Sequence, residues 1–187
     1  MVSWAQLFLP ALVAAVAVFF ASSVIHMVLK LHNKDYKGIP NEDEVRGALR
    51  KGGITPGQYM IPHCQEAKAH SDPAMLKKFE EGPIGVLYVG SPGTIKMGPF
   101  LGKWFTYTIV LGLVAGYVAK SALLPGASFG HVLQVVGAAA WLGYSFQSPS
   151  DSIWKSKPWA VTFRSFFDGL IYAVLTGLCF ALMWPKG

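Results

Sequence analysis

The sequence predicts an all-α integral membrane fold: four transmembrane helices, joined by a partly ordered cytoplasmic loop with two short helices and a β-hairpin. Three observations carry this. First, of 187 residues 52% are hydrophobic and only 14% are charged, well under the roughly 25% of an average soluble domain. Second, the charges are segregated. Val2 to Leu29 holds one ionisable side chain, His26, and Trp104 to Ala119 holds none beyond its tyrosines. Helices of a soluble protein need a polar outer face, and these lack one. Third, all but two of the 16 Lys and Arg (Lys120 and Lys186) fall on one side of the expected membrane, which the positive-inside rule makes the cytoplasm.

The first apolar run, about Trp4 to Leu29, exceeds the roughly 20 residues a span needs. No Lys or Arg precedes it, and Lys30 and Lys34 follow it, so it reads as a retained helix rather than a signal peptide. Pro10 is expected in its first turns, where a missing N–H costs least. The second run is about Phe100 to Leu123 and the third about Phe129 to Phe146, joined by Leu124-Pro125-Gly126-Ala127. Two breakers in so short a link predict a tight antiparallel hairpin. The fourth runs from about Phe163 to Trp184. Trp4, Trp104, Trp159 and Trp184 fall near the expected interfaces, as an aromatic belt does. The chain thus divides into a first helix (1–32), a loop segment (33–99) and a three-helix transmembrane unit (100–187).

The loop carries its own punctuation. Asn41 and Glu44 match a capping box for a helix that runs to Lys51 and stops at Gly52-Gly53. A second helix is expected from Ser71 or Asp72, with Pro73 at its first position, to just before Gly82. Ile84–Val89 and Thr94–Met97 flank Gly90-Ser91-Pro92-Gly93 and read as a hairpin. A segment this small cannot bury a large core. Tyr59, Met60, Ile61, Leu76 and Phe79 are therefore expected to contact a partner.

Ser22–Arg50 (SSVIHMVLKLHNKDYKGIPNEDEVRGALR), SDPAMLKKFEEGP and FDGLIY resemble stretches of small bacterial inner-membrane proteins to which no activity is attached. The resemblance implies a bacterial inner-membrane location and nothing about mechanism.

The chemistry-bearing residues are few. His26 is the ionisable group expected inside the first span, where polar groups face protein or a cavity. Its plainer role is a hydrogen-bonded packing histidine. Ser22, one turn earlier, makes a pigment or haem ligand the alternative. His32, His63, Cys64 and His70 are metal-binding types without metal-binding spacing. His26 and His32, six positions apart, belong on different faces of a continuous helix, so no metal is expected. Asp168 is expected to pair with Arg164, one turn before it. The two cysteines, Cys64 and Cys179, are expected as free thiols. Small residues at Gly112 and Gly116, at Gly137, and at Gly169 and Gly177 predict close helix packing, with those three faces meeting. An oligomer interface is the alternative.

The net charge of +6 reflects basic cytoplasmic loops, and no nucleic-acid module accompanies it. With no catalytic motif and no expected cofactor, the first functional expectation is non-catalytic: an accessory, scaffold or assembly subunit of a larger membrane complex, such as a respiratory or photosynthetic one. The alternative is a small membrane enzyme or carrier acting on a lipid or quinone through His26 and Asp168. Convergence of those two residues on one cavity would favour the alternative. The termini are expected on the periplasmic side, with membrane lipids and the larger complex as partners.

Overall fold

The computed structural model describes residues 1–66 and 71–187. Its first helix, α1 (Trp4–Ser23), starts on a capping box: the Ser3 hydroxyl accepts from the Gln6 N–H, and the Gln6 side chain accepts from the Ser3 N–H. Pro10 lies inside this helix, beyond its first turn. The helix does not end cleanly. Val24–Val28 forms a π-helical turn, closed by the Leu29 N–H donating to the Val24 carbonyl at 2.9 Å. Lys30 then takes a left-handed conformation (φ 52°), and the chain reverses.

The loop elements follow. Helix α2 (Glu42–Lys51) stops at Gly52, and Gly53 (φ 69°) carries the chain away. Asn41 is left-handed and its side chain caps nothing, so the expected capping box does not form. An N-cap side chain reaches the helix N–H groups from extended backbone, which Asn41 lacks. Its carbonyl still accepts from Glu44 and Val45. Helix α3 (Pro73–Glu81) is capped by the Asp72 carboxylate, which accepts from the Ala74 N–H. Strand β1 (Gly57–Ile61) pairs antiparallel with β2 (Gly85–Val89), Tyr59 opposite Leu87. This corrects the expected hairpin. The partner of β2 precedes it in sequence, while Thr94–Lys96 leads into α4 (Met97–Ala122).

Three helices are long and apolar enough to cross a membrane: Trp4–Val28, Met97–Ala122 and Trp159–Met183, the last being α7. Together they suggest a membrane protein. Helix α5 (Phe129–Ser145) is equally apolar in face but has 17 residues, about 26 Å at 1.5 Å each, slightly less than a hydrocarbon core. A short helix, α6 (Gln147–Trp154), continues from its end and has no counterpart in the sequence reading.

These four long helices form one bundle: α1 packs on α4 and α7, and α5 packs on α7 and α4. The first helix is not set apart from the others. Its Leu7, Ala11, Ala14, Ala15 and Val18 are fully buried with Val132, Val136, Ala173 and Phe180. Small residues set the spacing. Gly177 sits so close to α5 that an added Cβ would lie 3.0 Å from the Leu133 carbonyl oxygen and 3.3 Å from the Gly137 Cα. A Cβ at Gly169 would collide with the Ser145 hydroxyl. The Gly112–Gly116 face meets other neighbours: Gly112 lies on Ala11 of α1, and Gly116 under the Phe180 ring of α7. Outward-facing Phe8, Phe20, Val110, Val114, Phe163 and Leu182 remain exposed, the distribution a lipid-facing surface needs.

The two ends of the bundle differ. At one, Trp4 stacks on Tyr117 (5.5 Å), Lys120 lies 4.7 Å over the Trp4 ring, and the Trp184 indole donates to the Leu124 carbonyl. At the other, the chain reversal after α1 folds over the start of α7 and builds the site.

Candidate functional site

The site begins with the π-turn. An extra residue in a helical turn rotates everything after it and is common where function requires an irregular backbone. Here it carries His26, and the reversal at Lys30 folds His32 back over it. The two imidazoles lie 4.3 Å apart between ring centroids. The six-residue spacing misled because it assumed an uninterrupted helix.

Asp168, in the first half of α7, meets both rings. Its Oδ2 is 2.6 Å from His32 Nε2 and 3.9 Å from His26 Nε2. It does not pair with Arg164. That guanidinium instead holds Asp35: Nε donates to Asp35 Oδ1 at 2.6 Å, and Nη2 approaches the same oxygen. The other Asp35 oxygen lies 2.6 Å from His32 Nδ1. Adjacency on a helix permitted the Arg164–Asp168 pair, but the reversing chain supplied a nearer carboxylate. Burial alone would raise the Asp35 carboxyl, but hydrogen bonds with His32 and Arg164 outweigh it and hold the carboxyl below its ordinary range. Both carboxylates are at least nine-tenths buried, whereas His26 is half exposed.

These groups line a cavity of about 640 Å³, within the range of small-molecule sites. Its other wall is aromatic. Trp104 donates to the Ser22 hydroxyl at 3.1 Å and packs against Tyr172 (5.9 Å) and Tyr144 (6.4 Å). The Tyr172 hydroxyl is buried with no hydrogen-bond partner, which in a native interior calls for an explanation. Lys157 reaches the cavity from the segment before α7 and donates to Ser148 at 2.7 Å. A second, smaller cavity of about 280 Å³ adjoins it, sharing His26 and Trp104. That one is almost wholly apolar and runs between α1 and α4 past Met27, Met97 and Leu101.

Of the sequence candidates, His26 and Asp168 thus come together, and His32 joins them. Among the described residues this is the one group whose histidine and carboxylate atoms stand close enough to share a metal ion. Cys64 and Cys179 are free thiols, Cys64 contacting the Glu66 carbonyl. His63 lines a separate cavity beside Tyr59 and Met60, and His70 lies outside the described residues. Asp35 escaped the sequence reading: it sits in a basic, polar stretch with no spacing relation to α7. No helix, strand or loop signal could have joined it to Arg164.

Among the described residues, the loop elements form no core of their own. None of α2, α3, β1 or β2 contains a buried residue. Met60, Ile61 and Leu76 are exposed, and Tyr59 and Phe79 are partly covered. Tyr88 of β2 hydrogen-bonds with Lys155, whose ammonium is pushed above its ordinary value first by Asp151 and then by Tyr88.

No family model, no curated protein and no solved structure matches this chain.

Proposed function

We propose that the chain is a four-span bacterial inner-membrane protein that binds the head group of a lipid or quinone and acts on it at His26 and Asp168. The observation that carries this reading is the adjacency of two cavities. A chamber lined by His26, His32, Asp168 and Lys157 shares its His26 and Trp104 walls with an apolar groove between α1 and α4. An amphiphile is the ligand class with a matching shape: oxygen atoms for the chamber, a hydrocarbon tail for the groove. The buried Tyr172 hydroxyl would gain a partner from such a head group. Aromatic walls with a few convergent polar groups are the usual make-up of small-molecule sites.

In this reading α5 completes the four spans, and the termini lie in the periplasm. Support comes from the charge bias, with only Lys120 and Lys186 on the terminal side. The site then faces the cytoplasmic half of the bilayer, where the reversing chain at Lys30–Asp35 caps it.

The test is chemical. The full chain is purified in mild detergent, extracted, and its small molecules are quantified by mass spectrometry. About one amphiphile per wild-type chain is expected, lost in His26→Ala and Asp168→Asn. Equal, non-stoichiometric lipid in all three proteins would refute the reading.

A second reading keeps one specific support. Met60, Ile61 and Leu76 of the loop are exposed, so an accessory or assembly subunit of a larger membrane complex would use them as part of its contact surface. The two readings are compatible, since the loop elements and the chamber share no buried core.

A further inference from the structure

We propose that His26, His32 and Asp168 bind one divalent first-row transition metal ion, and that Asp35, clamped by Arg164, orients His32 for it. This deepens the reading of the same chamber: the ion would be the electrophile that receives the head-group oxygen.

The donor set comes first. Two imidazoles and one carboxylate suit zinc(II) or iron(II), and three protein ligands leave positions open for a substrate. The three ligand atoms lie within 4.8 Å of one another. Ligands about 2.0–2.2 Å from an ion stand roughly 3–3.5 Å apart. The separations here, 2.6 Å and 3.9 Å from the Asp168 oxygen, fall on either side of that value. Small side-chain rotations close the difference.

The supporting residues point the same way. Metal-bound histidines typically donate their second N–H to a carboxylate, which fixes the tautomer and the ring. Asp35 Oδ2 sits 2.6 Å from His32 Nδ1 in that role. With the proton on Nδ1, His32 Nε2 keeps a lone pair available to an ion. Arg164 occupies the remaining Asp35 oxygen, so this carboxylate has no freedom to swing away.

The third observation concerns the alignment of one of these contacts. His32 Nε2 is fully buried and has no hydrogen-bond partner, although Asp168 Oδ2 is only 2.6 Å away. At that distance the alignment is wrong for a donor and an acceptor. A nitrogen lone pair and a carboxylate oxygen this close repel unless a cation is shared between them. A bound ion would remove that repulsion and draw the two atoms out to ligand spacing. No thiolate belongs to the group, which argues for a borderline or harder ion over copper(I).

The test uses cobalt(II) as a spectroscopic probe on the full-length, chelator-treated protein in detergent. One Co(II) per chain is expected, displaced by Zn(II), with ligand-field bands and no thiolate charge-transfer band. His26→Ala, His32→Ala and Asp168→Asn should each weaken binding at least tenfold, and Asp35→Ala by about 10–100-fold. His63→Ala with His70→Ala should leave it unchanged. Failure to bind Co(II), a thiolate band, or unaltered affinity in the three ligand variants would overturn the proposal. If those variants do not elute as folded protein, the wild-type spectrum and the His63/His70 double variant still decide. Amphiphile content is measured on the same samples. Co(II) binding without an amphiphile supports the metal site and sinks only the lipid or quinone reading. An amphiphile without Co(II) binding does the reverse.

Discussion

Arg164 on α7 grips Asp35 in the segment after α1, 129 positions away, with Nε donating to Oδ1 at 2.6 Å. This contact ties the reversing chain to the bundle and sets where His32 can lie. Asp35 is only 5% exposed, so its charge depends on His32 and Arg164 together. Arg164→Ala is expected to cost about 1.5–3 kcal/mol, the usual value for a hydrogen bond to a charged group. Thermal unfolding in detergent checks it. Arg164→Lys should recover only part, since an ammonium cannot present two N–H groups in a fixed fork. Equal stability of wild type and Arg164→Ala would mean that the clamp is decorative.

Helix packing makes a sharper comparison. Gly177→Ala places a Cβ against the Leu133 carbonyl, which is backbone and cannot step aside. Gly116→Leu drives into the Phe180 ring, where even a Cβ would stand 2.6 Å from Cε1. Overpacking of this kind costs about 1–3 kcal/mol. Gly102→Ala, with nothing within 4 Å of the new atom, should be neutral or slightly stabilising. Melting temperatures in one detergent rank the three. A drop for Gly102→Ala as large as for Gly177→Ala would remove the packing argument.

Orientation is checked with single cysteines. In a Cys64→Ser, Cys179→Ser background, a cysteine at Ser3 or Gly187 should react with an impermeant maleimide added outside intact cells. Labelling of either position only after lysis contradicts the proposed topology.

The loop prediction concerns partners. Leu76 and Met60 are close to half exposed, and burying what remains of such side chains yields about 0.7–1.5 kcal/mol each. Replacing residues 41–81 with a flexible linker should leave membrane insertion and Co(II) binding intact while removing any co-purifying complex. If a partner complex still co-purifies in full, the loop is not its contact surface.

Much of this architecture was legible because a bilayer imposes a simple code. Uninterrupted apolar runs marked the long helices to within a few residues, and Asp72-Pro73 and Gly52-Gly53 marked ends in the loop. What failed were inferences that extended a local rule past a break. Adjacency makes Thr94–Met97 the expected partner of β2, yet Gly57–Ile61, followed by Pro62, takes the place. Asn41 had the right side chain on the wrong backbone. His26 and His32 were separated by helical periodicity that a π-turn and a left-handed Lys30 had already ended. Asp168 was given to Arg164 because nothing in a sequence ranks a distant carboxylate against one four residues away. The site is therefore built largely from long-range contacts, which is why its residues read as isolated.

The most direct measurement is a crystal structure of the full chain grown in a lipid mesophase. Elongated density is expected along the α1–α4 groove past Met97 and Leu101, ending in oxygen atoms at the His26, His32 and Asp168 chamber. A chamber filled by the protein's own side chains, with His26 turned out to lipid and the groove closed, would contradict it.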